Sequence, residues 1–407
     1  MDLYDDPVQM EPLVVHDTRP RHAELIGLAY ELSEASACLD AALCAPTAQS
    51  LATLVTGMNC YYSNLIEGQH TLPLEIAKAL QDAKGAPSQK DLPSLARAHV
   101  SADIWARSAP LNESSLLPAI QEIHRIFCSQ LPPEMLVLKD GTVMMPGAIR
   151  QREVSVGRHV APRAEALGLF LDRFSQFYGQ RLACSARGGS SKLDGIVSAF
   201  AAHHRLAWIH PFPDGNGRVA RIVLDAMLRQ CGVNGAALWS MSRGFAKSNV
   251  MYKQQMALAD SPRQGDLDGR GNLSEKCLAD YCAYALQTGL DQARFMASMF
   301  DLNAFKGRVE AYFQRVRFDL KPESAFLYLQ AFTMGEVERM SAARLTGLKE
   351  RTARDVVSQL TAEGFLVSDT PKGKLRVGFP VHALGSLLPN LYPAGDVDFL
   401  PPLAAMG

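Results

Sequence analysis

The chain has 407 residues, with 41 basic and 42 acidic side chains and a net charge of −1. At roughly 150 residues per domain this length suggests two or three domains, and 47% apolar residues suffice for a real core. The charge balance excludes both the strongly basic surface of a dedicated nucleic-acid binder and the acidic composition of a disordered tail.

Helical spacing dominates, with apolar positions recurring at three and four residues. The Pro-containing first twenty residues read as an extended arm. One or two helices are predicted over 21–55, then others over 58–68 and 71–83. A Gly/Pro loop at 84–89 separates them from helices over 95–106 and 116–130. Val154 and Val156 then alternate near Pro146-Gly147 and Gly157, which predicts a short β-hairpin over 146–160. Helices return over 164–181, 193–209 and 219–231. An exposed Gly/Asp/Arg-rich connection is expected at 261–273, followed by helices over 274–290 and 291–313. The tail has its own order. Helices over 323–332, 341–346 and 349–363 precede two short strands that flank a Pro371-Lys372-Gly373-Lys374 turn. That sequence of elements is the order of a winged helix.

No apolar run approaches the ~18 residues needed to span a membrane. Met1–Met10 lacks the apolar stretch of a signal peptide, so a cytoplasmic location is the expectation. The eight cysteines include no Cys-x-x-Cys pair and read as buried free thiols.

The chemistry concentrates in His210-Pro211-Phe212-Pro213-Asp214-Gly215-Asn216-Gly217-Arg218-Val219-Ala220-Arg221, a loop that feeds a helix N-terminus. Gly215 and Gly217 allow strained backbone angles and close approach to a ligand. Free N–H groups and the dipole of the following helix favour an anion. Asn216 adds a neutral donor. Arg218 and Arg221, three apart, share a helical face suited to phosphate oxygens. Asp214 is a hard oxygen ligand of the kind that holds Mg2+ together with substrate phosphates. His210 is a natural general base. Singly, each feature is commonplace: a His before Pro is usually structural, and Gly-Asn-Gly is usually a turn. Their joint occurrence in this order is what singles out the segment.

This motif resembles the signature of Fic-domain proteins, His-Pro-Phe-x-Asp/Glu-Gly-Asn-Gly-Arg-x-x-Arg, and every specified position matches. The resemblance implies a mainly α fold, a Fic-type helical core with a β-hairpin flap at 146–160 that clamps a target segment. It also implies adenylylation, the transfer of AMP from ATP with Mg2+ to a Ser, Thr or Tyr hydroxyl of a protein, self-modification included. In that reading His210 deprotonates the hydroxyl and Asp214 holds Mg2+. Gly215, Asn216 and Gly217 bind the α- and β-phosphates, and Arg218 and Arg221 the β- and γ-phosphates. Asn249 and Tyr252 lie near the adenine and ribose.

Ser63-Asn64-Leu65-Ile66-Glu67-Gly68 resembles the family's inhibitory motif. Ser63 and Glu67 lie four apart on one helical face. The resemblance implies that Glu67 pairs with Arg221 and blocks the γ-phosphate site. His203 and His204 read as structural, Trp208 and Phe212 as packing beneath the loop. Met144 and Met145 read as flap or core residues.

Over 341–380 there are seven basic and four acidic residues, a net +3. This is too mild to decide between DNA binding by a winged helix-turn-helix and a role in docking or dimerisation. The expected organisation is an N-terminal helical region with an inhibitory helix (1–110), a Fic core (111–270), a helical connection (271–315) and a winged-helix domain (316–407). Three functions compete: an autoinhibited adenylyltransferase, a hydrolase removing AMP with Glu67 and His210, and a DNA-binding regulator with a nucleotide-sensing core. Homodimerisation stays open, and no membrane partner is expected.

Overall fold

The computed structural model describes residues 5–81, 92–156, 159–393 and 395–396. The chain is mainly α-helical. A central few of its helices position the site. Helix α1 (Pro20–Ala41) and α2 (Ala45–Ile66) both begin with Pro in the first turn, where a missing N–H costs nothing. They are followed by α3 (Pro73–Gln81), α4 (Leu92–Ala106) and α5 (Leu116–Ser129). In α5, Leu116, Ile120, Ile123 and Phe127 form one buried stripe at helical spacing.

The hairpin is present: β1 (Ser155–Val156) pairs antiparallel with β2 (His159–Val160), with Ser155 opposite Val160. Its turn, 157–158, lies outside the described residues, as does the predicted loop at 84–89. Then come α6 (Leu167–Ser185) and α7 (Gly189–Ile209), the central helix, which is buried continuously from Gly195 to Leu206. A helix buried on every side must be surrounded, and α7 packs against α1, α6, α8 (Asn216–Gln230) and α11 (Glu275–Met299). Between α8 and α11 lie α9 (Met241–Lys247) and α10 (Asn249–Leu258).

Three expectations are corrected. The N-terminal arm is a packed strap: Met10, Leu13 and Val15 are buried, the Tyr178 hydroxyl donates to the Leu13 carbonyl at 2.5 Å, and Arg205 Nη2 donates to that of Pro12 at 2.8 Å. The predicted break at 290–291 is absent, and α11 runs unbroken to Met299. Gly289 is there for close packing, since a Cβ would sit 3.2 Å from Met241 Sδ. The break falls instead before α12 (Leu302–Arg315), where the Asp301 side chain caps the Ala304 N–H at 2.9 Å. Finally, only Cys60, Cys128, Cys231 and Cys282 are buried among the eight free cysteines.

The C-terminal region contains α13 (Ser324–Met334), α14 (Ala342–Thr346) and α15 (Glu350–Ala362), joined at Gly347 in the left-handed conformation (φ 70°). A hairpin of β3 (Leu366–Val367) and β4 (Arg376–Val377) follows, and Val337 adds a bridge to Leu375. This region shares one contiguous apolar core with the rest of the chain. Polar ties reinforce the contact: Thr47 Oγ1 donates to the Phe332 carbonyl at 2.7 Å, the Tyr62 hydroxyl to that of Leu391 at 2.9 Å, and Arg243 Nη2 to that of Asn390 at 2.6 Å. No described helix is long and apolar enough to cross a membrane.

Candidate active site

The His210–Arg221 loop turns the chain from α7 into α8. His210 ends α7 in the left-handed conformation (φ 52°, ψ 61°), which a non-glycine residue adopts at a cost. Neighbours hold it there. The His210 N–H donates to Leu206 O at 3.1 Å, and Arg150, almost fully buried, donates from Nε to the His210 carbonyl at 2.8 Å. The Arg150 N–H donates to the Pro211 carbonyl at 2.9 Å, and its guanidinium also reaches the carbonyls of Arg152 and Pro162 at the flap. Arg150 therefore ties the flap to the loop.

The Asn216 side chain fastens the loop from within: its Oδ1 accepts from the Phe212 N–H at 2.9 Å and its Nδ2 donates to the Phe212 carbonyl at 2.8 Å. Its carboxamide is thus committed to the loop, and what remains for a phosphate is its backbone N–H at the start of α8. Phe212 is buried and stacks on His124 of α5, ring centroids 3.9 Å apart and parallel. His124 accepts the Gly147 N–H on Nδ1 at 2.9 Å, so Nε2 carries the proton and faces the Asp214 carbonyl at 3.3 Å. Burial pushes His124 down to about 4, which keeps this neutral bridge intact. Trp208 packs against flap residue His159, whose Nε2 donates to the Trp208 carbonyl at 2.7 Å.

His210 itself is pushed down to about 4, chiefly by burial, with Arg150 adding to the effect. It is neutral at physiological pH. Its Nδ1 faces the Ala207 carbonyl at 3.4 Å, which assigns the proton there and leaves the Nε2 lone pair available.

Gly215 caps α8 at φ 80°, a conformation that favours glycine. Asp214 is exposed, and its Oδ1 accepts the Gly215 N–H at 2.6 Å. Arg218 is 8% exposed, lies over the Phe127 ring at 5.1 Å, and makes no hydrogen bond or ion pair with any described residue. Its Nε is buried without an acceptor, which is costly, and burial pushes its pKa down.

Arg221 is met from α2. It donates to Ser63 Oγ at 3.1 Å, to the Ser63 carbonyl at 3.0 Å and to Glu67 Oε1 at 2.7 Å. A Cβ placed on Gly217 would collide with Glu67 Oε1, so the carboxylate rests directly against the first turn of α8. Burial favours the neutral acid, but Arg221, then Arg218 and Lys253, hold Glu67 below the usual carboxylate range. About a third of its side chain (32%) stays accessible. Glu67 is the residue at which α2 stops. Gly68 follows in the left-handed conformation (φ 79°), its N–H bonding Leu65 O while that of Gln69 bonds Asn64 O. Glycine in the motif thus ends the helix right after the carboxylate. One turn before Ser63 on α2 and one turn after Arg221 on α8, Asn59 Nδ2 donates to Asp225 Oδ2 at 3.1 Å and fixes the register of α2 on α8.

The remaining candidates divide. Tyr252 is buried, stacks on Phe245 at 4.2 Å and has its hydroxyl beside Arg221 and, at 3.4 Å, His203 Nε2. It forms a wall beside Arg221 and offers little exposed ring. Asn249 opens α10 with Oδ1 buried and unpartnered. His203 and His204 are structural, bonded to Tyr281 and to Met256 and Asp260. Met144 is buried and Met145 exposed beside the flap. Arg150, His124 and Asn59 escape the sequence reading because their partners lie 60, 90 and 166 positions away.

Residues 115–228 match the Fic/DOC family model. These residues form a Fic domain. Among curated relatives, the chain is 29% identical over 180 residues to the protein adenylyltransferase Fic of Nematostella vectensis, covering 42% of this chain and 37% of that protein. It is 31% identical over 116 residues to the protein of the same name from Drosophila virilis, covering 28% and 20%. The chain thus spans little more than a third, or less, of the length of these relatives. In fold it is similar to a Fic family protein from Desulfovibrio desulfuricans G20, with a TM-score of 0.52 at 15% identity over 89% of this chain and 98% of that one. The flap, the His210 loop and Arg150 all fall inside the Fic domain. Ser63 and Glu67 reach it from outside, on α2.

Proposed function

We propose that the chain is an autoinhibited protein adenylyltransferase. The observation that carries this reading is the seating of the Glu67 carboxylate against Gly217 and Arg221, beside an Arg218 whose Nε is buried without a hydrogen-bond acceptor. A helix N-terminus flanked by two guanidiniums is an anion site, and Glu67 fills part of it.

With ATP bound, backbone N–H groups at Gly215–Gly217 and the Arg218 and Arg221 side chains receive the phosphate oxygens. Asp214 suits Mg2+, which needs one or two carboxylates and takes its other ligands from phosphates and water. Its exposed carboxylate keeps one oxygen clear of the Gly215 N–H. The ion supplies charge neutralisation on the phosphates. A target Ser, Thr or Tyr hydroxyl, aligned along the flap, attacks the α-phosphorus. Its proton passes to His210 Nε2, the new oxygen–phosphorus bond forms, and the bond to the bridging oxygen breaks to release pyrophosphate. Positioning and charge complementarity do most of this work. Glu67 opposes it by holding Arg221 and occupying space that the terminal phosphate requires.

Labelled ATP tests the reaction type. The Glu67→Gly chain should acquire label from [α-32P]ATP and none from [γ-32P]ATP; label from the γ position alone would refute AMP transfer. A second reading, removal of AMP from a modified protein, draws on the accessible third of Glu67, which could orient a water. Loss of label from pre-modified chain by wild type, abolished by Glu67→Gly, would favour it.

A further inference from the structure

A cavity of about 430 Å3 opens where α2 and α3 meet the C-terminal hairpin and the turn Val381–Ala383. This volume lies within the range of small-molecule sites, ~300–1,000 Å3. No residue of the His210–Arg221 loop lines it. Its walls are mainly apolar, with Leu54 from α2, Leu74 and Ile76 from α3, and Val377 and Phe379 from the C-terminal region.

The polar groups in this lining are biased towards donors. His382 is 4% exposed at its side chain, and its Nε2 has no hydrogen-bond partner; the nearest carboxylate, Glu363 Oε2, is 3.7 Å away. Glu363 is the single carboxylate among the lining residues, and both its oxygens already accept from Arg317. Lys78 and Arg376 add two cations. Arg376 shares its charge with exposed Asp369, while Lys78 makes no ion pair among the described residues. A buried ring nitrogen without a partner carries a desolvation cost that an incoming acceptor removes.

We propose that this seam is a binding site for a small amphipathic carboxylate, its apolar body between α2 and the hairpin and its anionic end at Lys78, Arg376 and His382. The wall it touches is the helix that ends, ten residues beyond Gly57, in Glu67. The proposal goes beyond the transferase reading and is tested by binding alone, so it stands or falls separately from AMP transfer.

The probe is 8-anilinonaphthalene-1-sulfonate, an aromatic anion whose fluorescence rises in apolar surroundings, titrated into the full chain and competed with decanoate. One saturable site per chain, displaced by decanoate, is expected. Thr53→Trp and Ala77→Trp fill the cavity from α2 and from α3, and each should weaken probe binding at least about tenfold. Exposed Lys78→Glu should weaken displacement by decanoate severalfold. Thermal melting identifies any variant that fails to fold, and Lys78→Glu then decides. Unsaturable binding, no displacement by decanoate, folded Trp variants that bind like wild type, or an unchanged Lys78→Glu each overturns the proposal.

Discussion

Two regions of the molecule gather arginines and lysines, and they dispose of the charge in opposite ways. At the start of α8, Arg218 is buried without an acceptor, and Arg221 is answered by Glu67 from a different part of the fold. In the C-terminal region some cations have nearby carboxylates, while exposed Arg344, Lys349, Arg351 and Lys372 make no ion pair among the described residues. Lys374 lies 3.2 Å from Glu336, Arg354 lies 3.3 Å from Glu350, Arg376 pairs with Asp369, and Arg317 pairs with Asp319 and Glu363. The first region has two arginines and the second a net +3 over 341–380. A buried donor without an acceptor gains most from an incoming anion, while exposed ion pairs contribute about 0–1 kcal/mol.

Substitutions can break this contrast. The largest effect should come from His210→Ala in the Glu67→Gly chain, a loss of AMP incorporation of about 10²–10⁴-fold, as expected for removal of a general base. Next is the release of Arg221. Glu67→Gly should raise incorporation in wild type by about 5- to 150-fold, the range of a typical coupling between a regulatory contact and a ligand. Glu67→Gln, which keeps the volume and loses the charge, should fall between the two. Asn216→Ala leaves the Phe212 N–H and carbonyl unpartnered, at about 1–3 kcal/mol for each buried group; calorimetry should show a melting temperature lower by several degrees. The smallest effect is expected in the C-terminal region. Lys374→Ala and Arg354→Ala should leave incorporation unchanged, and a large salt-dependent loss of duplex DNA binding on either substitution would show that these pairs open for phosphate.

The pH profile adds an independent check. His210 is held at about 4 by burial, and a base is competent only when deprotonated. Incorporation by the Glu67→Gly chain should therefore be flat from about pH 8 to 6 on this limb and fall only as pH drops towards 4. A half-maximal point near 6.5, the value of an unperturbed histidine, would mean that the ring is more open to water than its contacts indicate.

Local patterns make the twelve-residue loop and most helices legible in the sequence, and resemblance to a family motif singles out Ser63–Gly68. They depend on spacing and on glycines at positions such as 215 and 68, where the backbone takes positive φ. What stayed hidden depends on partners distant in sequence. The Pro-containing arm reads as extended, yet it is stapled by Tyr178, Arg173 and Arg205. The sequence reads as two helices meeting at 290–291, yet α11 is unbroken there and Gly289 marks close approach to Met241. Asn216 reads as a phosphate donor, while its carboxamide closes the loop on Phe212. Arg150 and His124 belong to no local pattern, and they position the two sides of the loop.

The central claim is that Glu67 holds the anion site closed. Its most direct test is the initial rate of AMP incorporation, followed by intact-mass spectrometry with ATP and Mg2+, in wild type, Glu67→Gly and Glu67→Gly/His210→Ala. The expected result is slow incorporation in wild type, a many-fold faster rate in Glu67→Gly, and a rate about 10²–10⁴-fold below that of Glu67→Gly in the double variant. A Glu67→Gly rate equal to that of wild type would contradict the claim.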